Sequence, residues 1–137
     1  MTLEAYIDGG SRGNPGEAGC GVYVPGVVRI AEFLGKQTNN YAEYSALLAA
    51  LRFAVDHRAD SLKVYADSEL VVKQINGDYK VRNENIKPLF EQAQRLIRQL
   101  RHFSISHIYR EQNKEADKLA NLAMNKKENV MLWEATG

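Results

Sequence analysis

The chain opens on a period-two pattern in which Leu3, Ala5 and Ile7 alternate with Glu4, Tyr6 and Asp8, followed by Gly9-Gly10-Ser11-Arg12-Gly13-Asn14-Pro15-Gly16. Such alternation predicts a half-buried strand, and the glycine-rich run predicts that it ends at Asp8 in a turn-rich loop. Gly21 to Val24 and Val27 to Leu34 are β-branched and aromatic runs separated by the turn dipeptide Pro25-Gly26, so they predict a hairpin. Three antiparallel strands therefore come first.

From Tyr41 to His57 the period lengthens, and Tyr44, Leu47, Leu48, Leu51, Ala54 and Val55 recur at helical spacing behind the cap candidates Thr38-Asn39-Asn40. Leu62 to Ala66 predicts a short strand stopping at Asp67, and Ser68 to Ile75 a second helix closed by Asn76-Gly77. A third helix is expected over about Asn85 to Arg101, capped by Asn85 rather than Asn83, which puts Pro88 in the first turn where its missing N–H loses no partner. Ser104 to Tyr109 alternates as a strand, and Asn113 caps a last helix running to about Met124. The order βββαβααβα argues an α/β fold, a mixed sheet flanked by helices. Residues 1–124 form the expected domain, and 125–137 read as a polar tail with an isolated Trp133.

With 137 residues, 45% hydrophobic and 26% charged, the chain suits one domain able to build its own core. Its one cysteine, Cys20, excludes an intramolecular disulfide and a thiolate metal cluster, which fits a reducing compartment and makes the cytoplasm the expected location. No run approaches the ~18 apolar residues of a membrane span, and the first residues do not read as a secretion signal. The formal charge of +1 is unevenly spread: residues 1–79 are net −3 and residues 80–118 net +4.

Four carboxylates fall at element boundaries. Asp8 ends the first strand, Glu43 lies in the first turn of the first helix, Asp67 ends the fourth strand and Asp117 lies early in the last helix. Singly, each has an ordinary reading as a turn former, a capping-box partner, an N-cap or a helix-dipole charge. Together they match the needs of two hard cations, since Mg²⁺ takes few protein carboxylates, keeps waters and accepts oxygens from substrate phosphate. Without cations, four acids in one site would repel and take up protons. Asn14, Thr38, Asn39 and Asn40 offer short polar groups for a nucleic-acid backbone or minor groove, and Lys36 can meet a phosphate, although turn and cap chemistry explains the same residues. Lys80 and Arg82 lead a candidate basic track. His57, His102 and His107 are scattered, with no nucleophile at an interpretable spacing.

The run Tyr6-Ile7-Asp8-Gly9-Gly10-Ser11 with Gly13-Asn14-Pro15-Gly16 is followed in order by Thr38-Asn39-Asn40-Tyr41-Ala42-Glu43, Val64-Tyr65-Ala66-Asp67-Ser68 and Asn113-Lys114-Glu115-Ala116-Asp117-Lys118-Leu119-Ala120. In these motifs the chain resembles the type 1 ribonuclease H family over almost its whole length. The resemblance implies a ribonuclease H-like fold with a five-stranded mixed sheet, and metal-dependent hydrolysis of the RNA strand of an RNA/DNA hybrid. Asp8, Glu43, Asp67 and Asp117 would hold two Mg²⁺ ions, with Mn²⁺ as a possible substitute. One ion would activate a water for in-line attack and the other would stabilise the leaving oxygen, giving 5′-phosphate and 3′-hydroxyl ends. RNA would be selected by 2′-hydroxyl contacts near Glu43 and the Gly9 to Asn14 loop, which holds Gly10 and Ser11, with Asn14, Asn39 and Asn40 in the minor groove and Lys36, Thr38 and Asn83 on a DNA-strand phosphate. The competing readings are a silent nucleic-acid-binding module, disfavoured because all four acids are present, and a DNA nuclease of the same fold.

Three departures from the family pattern stand out. The loop before Asp117 is short and has no histidine, leaving Glu111 as the nearest candidate for an auxiliary product-release role. Glu69 stands where members often have Gln. The basic protrusion is reduced to Gly77-Asp78-Tyr79-Lys80-Val81-Arg82-Asn83-Glu84, in which Tyr79 could replace a stacking Trp.

Overall fold

The computed structural model describes residues 1–134. In chain order the elements are β1 (Thr2–Gly13), β2 (Gly16–Val24), β3 (Val28–Gln37), α1 (Asn39–Asp56), β4 (Ser61–Ala66), α2 (Glu69–Ile75), α3 (Lys87–Ile97), β5 (His102–His107), a single 3₁₀ turn (Arg110–Gln112), α4 (Lys114–Lys126) and β6 (Val130–Trp133). They build one mixed six-stranded sheet in the order β5-β4-β1-β2-β3-β6. The first three strands are antiparallel, whereas β1, β4 and β5 are parallel neighbours. No helix among the described residues is long and apolar enough to cross a membrane.

Alternation along the strands separates two faces. Leu3, Ala5, Ile7, Val22, Val24, Val28 and Ile30 join the main core under α1, with Leu47, Leu48 and Leu51 from the helix. Ala31 points the other way and meets Leu119 and Ala123 of α4, with Tyr23 and Phe33 packed around them. The Pro25-Gly26 turn forms as expected: Val27 N donates to Val24 O at 2.9 Å, and Gly26 has φ +76°, a region that its missing side chain makes accessible.

Three expectations are corrected. The glycine-rich run is not a loop, because β1 continues through it to Gly13 and pairs Gly9 with Cys20, Gly10 with Gly19 and Ser11 with Ala18. Gly9 admits a helix rather than makes a turn, since a Cβ there would overlap the Ala42 carbonyl and lie 2.5 Å from Glu43 N, and the turn itself is confined to Asn14-Pro15 beside Gly13, at φ +112°. The third helix is shorter, and Asn85 does not cap it. Asn83 instead organises the start, its Oδ1 accepting from Asn85 N at 2.8 Å and its carbonyl from Ile86 N and Lys87 N at 3.0 Å each.

Finally, the sheet has six strands rather than five, because the segment read as a polar tail returns as β6 on the free edge of β3. Trp133 is not isolated, since its ring lies 5.6 Å from Phe53 and 5.4 Å from His57, centroid to centroid. Glu134 N donates to Val27 O at 2.8 Å, and Asn129 Oδ1 accepts from Phe33 N at 2.8 Å, fixing both ends of the added strand. The rest of the expected tail, 135–137, lies outside the described residues.

Candidate active site

The parallel register of β1 and β4 pairs Ile7 with Ala66, so Asp8, within β1, lies beside Asp67, the first residue past the end of β4. Glu43 reaches them from α1, where Thr38 is the N-cap, accepting from Tyr41 N at 3.1 Å. Glu43 therefore lies in the second helical turn, not the first, and its ordinary reading as a capping-box partner of Asn40 fails. Asp67 is no cap either, because Ser68 fills that role for α2.

Asp117 arrives on α4, which lies close over β2 because β2 presents glycines there. A Cβ on Gly21 would meet Ala116 O at 2.5 Å, and one on Gly19 would meet Ala120 O at 2.8 Å. Gly21 is the register partner of Asp8, so the close approach that α4 needs also brings Asp117 to Asp8. Glycines on both faces thus set the distance of two helices from the sheet end.

The four acids border an open cleft in two connected parts. One, of about 350 Å³, is lined by Asp8, Glu43, Asp67, Ser68, His107 and Arg110 among others. The other, of about 340 Å³, is lined by Asp8, Gly10, Ser11, Arg12, Arg110, Asp117 and Asn121 among others. Asp8, Gly9, Asn39 and Arg110 line both parts.

Asp8 is only 7% exposed, and its pKa is pushed up to about 8, first by burial, then by the Asp67 charge, a hydrogen bond shared with Asp117 and the Asp117 charge. Glu43 is also raised, mainly by burial; a hydrogen bond with Ser68 and the nearby Arg110 guanidinium pull against the Asp67 charge. A cation placed among them would reverse these shifts. The donor set fits a hard divalent ion, being all carboxylate oxygen. Among the described residues no three of His, Cys, Asp and Glu close into a ready-made cage. Mg²⁺ does not require one, because it keeps waters and shares substrate oxygens.

Of the other expected residues, Gly10, Ser11 and Asn39 line the cleft. Asn39 is its organiser: Oδ1 accepts from Ser11 N at 3.0 Å, its backbone N donates to Asn14 Oδ1 at 3.1 Å, and Nδ2 lies 3.4 Å from Glu43 Oε1. Asn14 is thus tied to the site through Asn39. Asn40 is half-buried, with an Oδ1 that lacks a hydrogen-bond partner. Lys36 stands exposed on β3 opposite Glu17, and Asn83 sits exposed before α3; neither lines the cleft. Tyr79 is exposed, with Lys73 Nζ 5.0 Å from its ring centroid.

Glu111 does not face the acids. It lines a separate groove of about 250 Å³ with Tyr6 and Tyr23, because the tight turn over Arg110–Gln112 sends successive side chains different ways. Arg110 takes the place over the cleft. Sequence reasoning missed it, along with His107, which ends β5 level with Ala66. The +4 charge over residues 80–118 was the available signal for Arg110; the parallel register that places His107 had none.

A mixed sheet collecting acids from its central strand, the end of the parallel neighbour and two helices defines a protein of the ribonuclease H-like α/β class. A family model described as reverse transcriptase-like matches residues 15–123. Ribonuclease HI of Halobacterium salinarum is 40% identical over 90% of this chain, and the chain spans 64% of that relative; it spans 36% of each of three mycobacterial relatives. The crystal structure of RNase H1 from Halobacterium salinarum superposes with a TM-score of 0.88 at 37% identity, covering 92% of this chain and 99% of that one. LC11-RNase H1 in complex with an RNA/DNA hybrid gives 0.83 at 35% identity, covering 91% and 98%. The chain belongs to the type 1 ribonuclease H family.

Proposed function

We propose that the protein is a metal-dependent endoribonuclease that cuts the RNA strand of RNA/DNA hybrids and leaves 5′-phosphate and 3′-hydroxyl ends. The observation that carries this reading is the convergence of Asp8, Glu43, Asp67 and Asp117, from four elements, around one open cleft. The hybrid in the LC11-RNase H1 structure supports the substrate class. When bound by these four acids, two Mg²⁺ ions, or Mn²⁺ in their place, would supply the Lewis acidity that activates a water and stabilises the leaving 3′ oxygen.

The chain's own residues do the positioning. Asn39 ties the Ser11 backbone and the Asn14 side chain to the side of Glu43, so that Gly10, Ser11 and Asn14 present a fixed edge to the RNA strand and its 2′-hydroxyls. Arg110, over the cleft, meets the phosphate being cut and offsets the acids' charge. Lys36, Thr38 and Asn83 hold the DNA strand further out, Asn40 reaches the minor groove, and Tyr79 packs on a sugar. These contacts use phosphate, sugar and groove shape, so no base sequence need be read. The one buried cysteine suits a protein working in the reducing cytoplasm.

Incubation of end-labelled RNA/DNA hybrid, double-stranded RNA, single-stranded RNA and duplex DNA with Mg²⁺, Mn²⁺ or EDTA tests the reading. Metal-dependent cutting confined to hybrid RNA is expected. Binding without cutting in either metal, or cutting of duplex DNA, would overturn it.

A further inference from the structure

Asn113 stands at the N-cap position of α4, yet its side chain makes no cap hydrogen bond. It is fully buried. Its Nδ2 donates to Ile7 O at 2.8 Å and lies 3.4 Å from Asp67 Oδ2. Both partners are acceptors, so the amide's orientation is fixed by its surroundings. Its carbonyl oxygen accepts from Asp117 N at 3.1 Å, and its backbone N donates to Arg110 O at 3.0 Å. The side-chain Oδ1 is buried with no hydrogen-bond partner.

One residue therefore touches the strand position before Asp8, the side chain of Asp67, the first hydrogen bond of the helix that carries Asp117, and the turn that carries Arg110. A residue selected for stability alone would cap its helix and leave no orphaned carbonyl in the interior. We infer that Asn113 is a positioning residue, which holds Asp8, Asp67 and Asp117 at the separation that divalent cations need.

This inference rests on the reading of the site as a divalent-cation centre. Its mechanism is orientation through an outer hydrogen bond: an amide donating to one oxygen of Asp67 fixes the carboxylate's rotation and leaves the other oxygen for a cation. The link to Ile7 O, meanwhile, sets the height of Asp8 on its strand against α4.

The test uses the full chain and Mn²⁺ alone, with the free-ion signal followed by electron paramagnetic resonance, for wild type, Asn113→Ala and Asn113→Leu. Leucine keeps the branched four-atom skeleton of asparagine, with somewhat more bulk, and removes the orphaned carbonyl, so Asn113→Leu is expected to fold even where the alanine variant leaves a hole. The expected result is Mn²⁺ affinity about tenfold or more weaker in each folded variant, the range seen when outer-shell partners of metal ligands are removed. In hybrid cleavage, kcat should fall while KM stays near wild type, because the phosphate contacts are untouched. A folded variant that binds Mn²⁺ within about twofold of wild type would overturn the inference and make Asn113 merely structural. Failure of the wild-type protein itself to bind Mn²⁺ would overturn the cation reading beneath it, which separates the two.

Discussion

Asp8→Asn removes the charge at the centre of the acid cluster without changing its shape, and its effect on stability can be worked out before its effect on cleavage. In the folded chain the Asp8 carboxyl is pushed up to about 8 from the 3.8 of a free aspartate, mainly because it is buried and then because Asp67 and Asp117 face it. The folded state thus holds a proton that the unfolded state has released, so stability falls as pH rises through that window. A displacement of this size has a ceiling of about 5–6 kcal/mol at about 1.4 kcal/mol per unit. Because the proton is shared with Asp117 and the cleft is open to water, we expect roughly 2–3 kcal/mol at pH 8. In EDTA at pH 8, Asp8→Asn should therefore melt higher than wild type, by about 6–12 °C for a domain of this size. Below about pH 4 the gap should close, because Asp8 is then protonated in both states. Excess Mg²⁺ should raise wild type more than the variant, since only wild type has the repulsion to relieve. Calorimetry across pH 3.5 to 8.5 with EDTA or Mg²⁺ reads all of this. An Asp8→Asn protein no more stable than wild type at pH 8, or a gap independent of pH, would refute the electrostatic account.

Gly9→Ala should cost about 1–3 kcal/mol by chemical denaturation, because its Cβ would overlap the Ala42 carbonyl, and pushing α1 away should depress cleavage through Glu43. Arg110→Ala should weaken hybrid binding measured in Ca²⁺ and lower the slope of log K against log salt by about 1, as expected for one lost phosphate contact. Trp133→Ala, which loses the packing against Phe53 and His57 on a half-exposed edge strand, should cost about 1 kcal/mol in thermal melting with kcat unchanged.

The parts of the fold legible in the sequence are those with a local period. Leu3 to Ile7, the Pro25-Gly26 hairpin and the Tyr44 to Leu51 stripe all form within a few residues of where the pattern puts them. What was not legible depends on partners distant in sequence. Val130–Trp133 is too short to show alternation, and it becomes a strand only because β3 has a free edge and Phe53 and His57 offer rings. Gly9 reads as a turn former, since nothing in one sequence says that α1 crosses it. Asn83 and Asn85 are equally good caps by type, and only the tertiary path of the chain separates them.

The same division holds at the site. The four acids were picked out because their motifs keep family order and because the pattern put each near an element boundary, although β1 runs on past Asp8 to Gly13 and Glu43 lies in the second turn of α1. Arg110 and Glu111 are neighbours whose directions are set by one 3₁₀ turn, which residue type does not report. Asn113 looked like a cap, and its contact with Ile7, 106 positions away, appears only once β1 and α4 are side by side.

The central claim, that the four carboxylates form a cation-dependent phosphodiester-cleaving centre, is tested most directly with Asp67→Asn. The change removes a charge and hardly alters shape. Hybrid affinity by fluorescence anisotropy in Ca²⁺ and cleavage of labelled RNA in Mg²⁺ should be measured on the same protein, beside wild type. The account predicts hybrid affinity within about threefold of wild type, since substrate is held mainly through phosphate and groove contacts elsewhere, and no detectable cleavage. Cleavage at the wild-type rate, or loss of folding and binding together, would contradict it and return Asp67 to the role of a structural residue at a strand end.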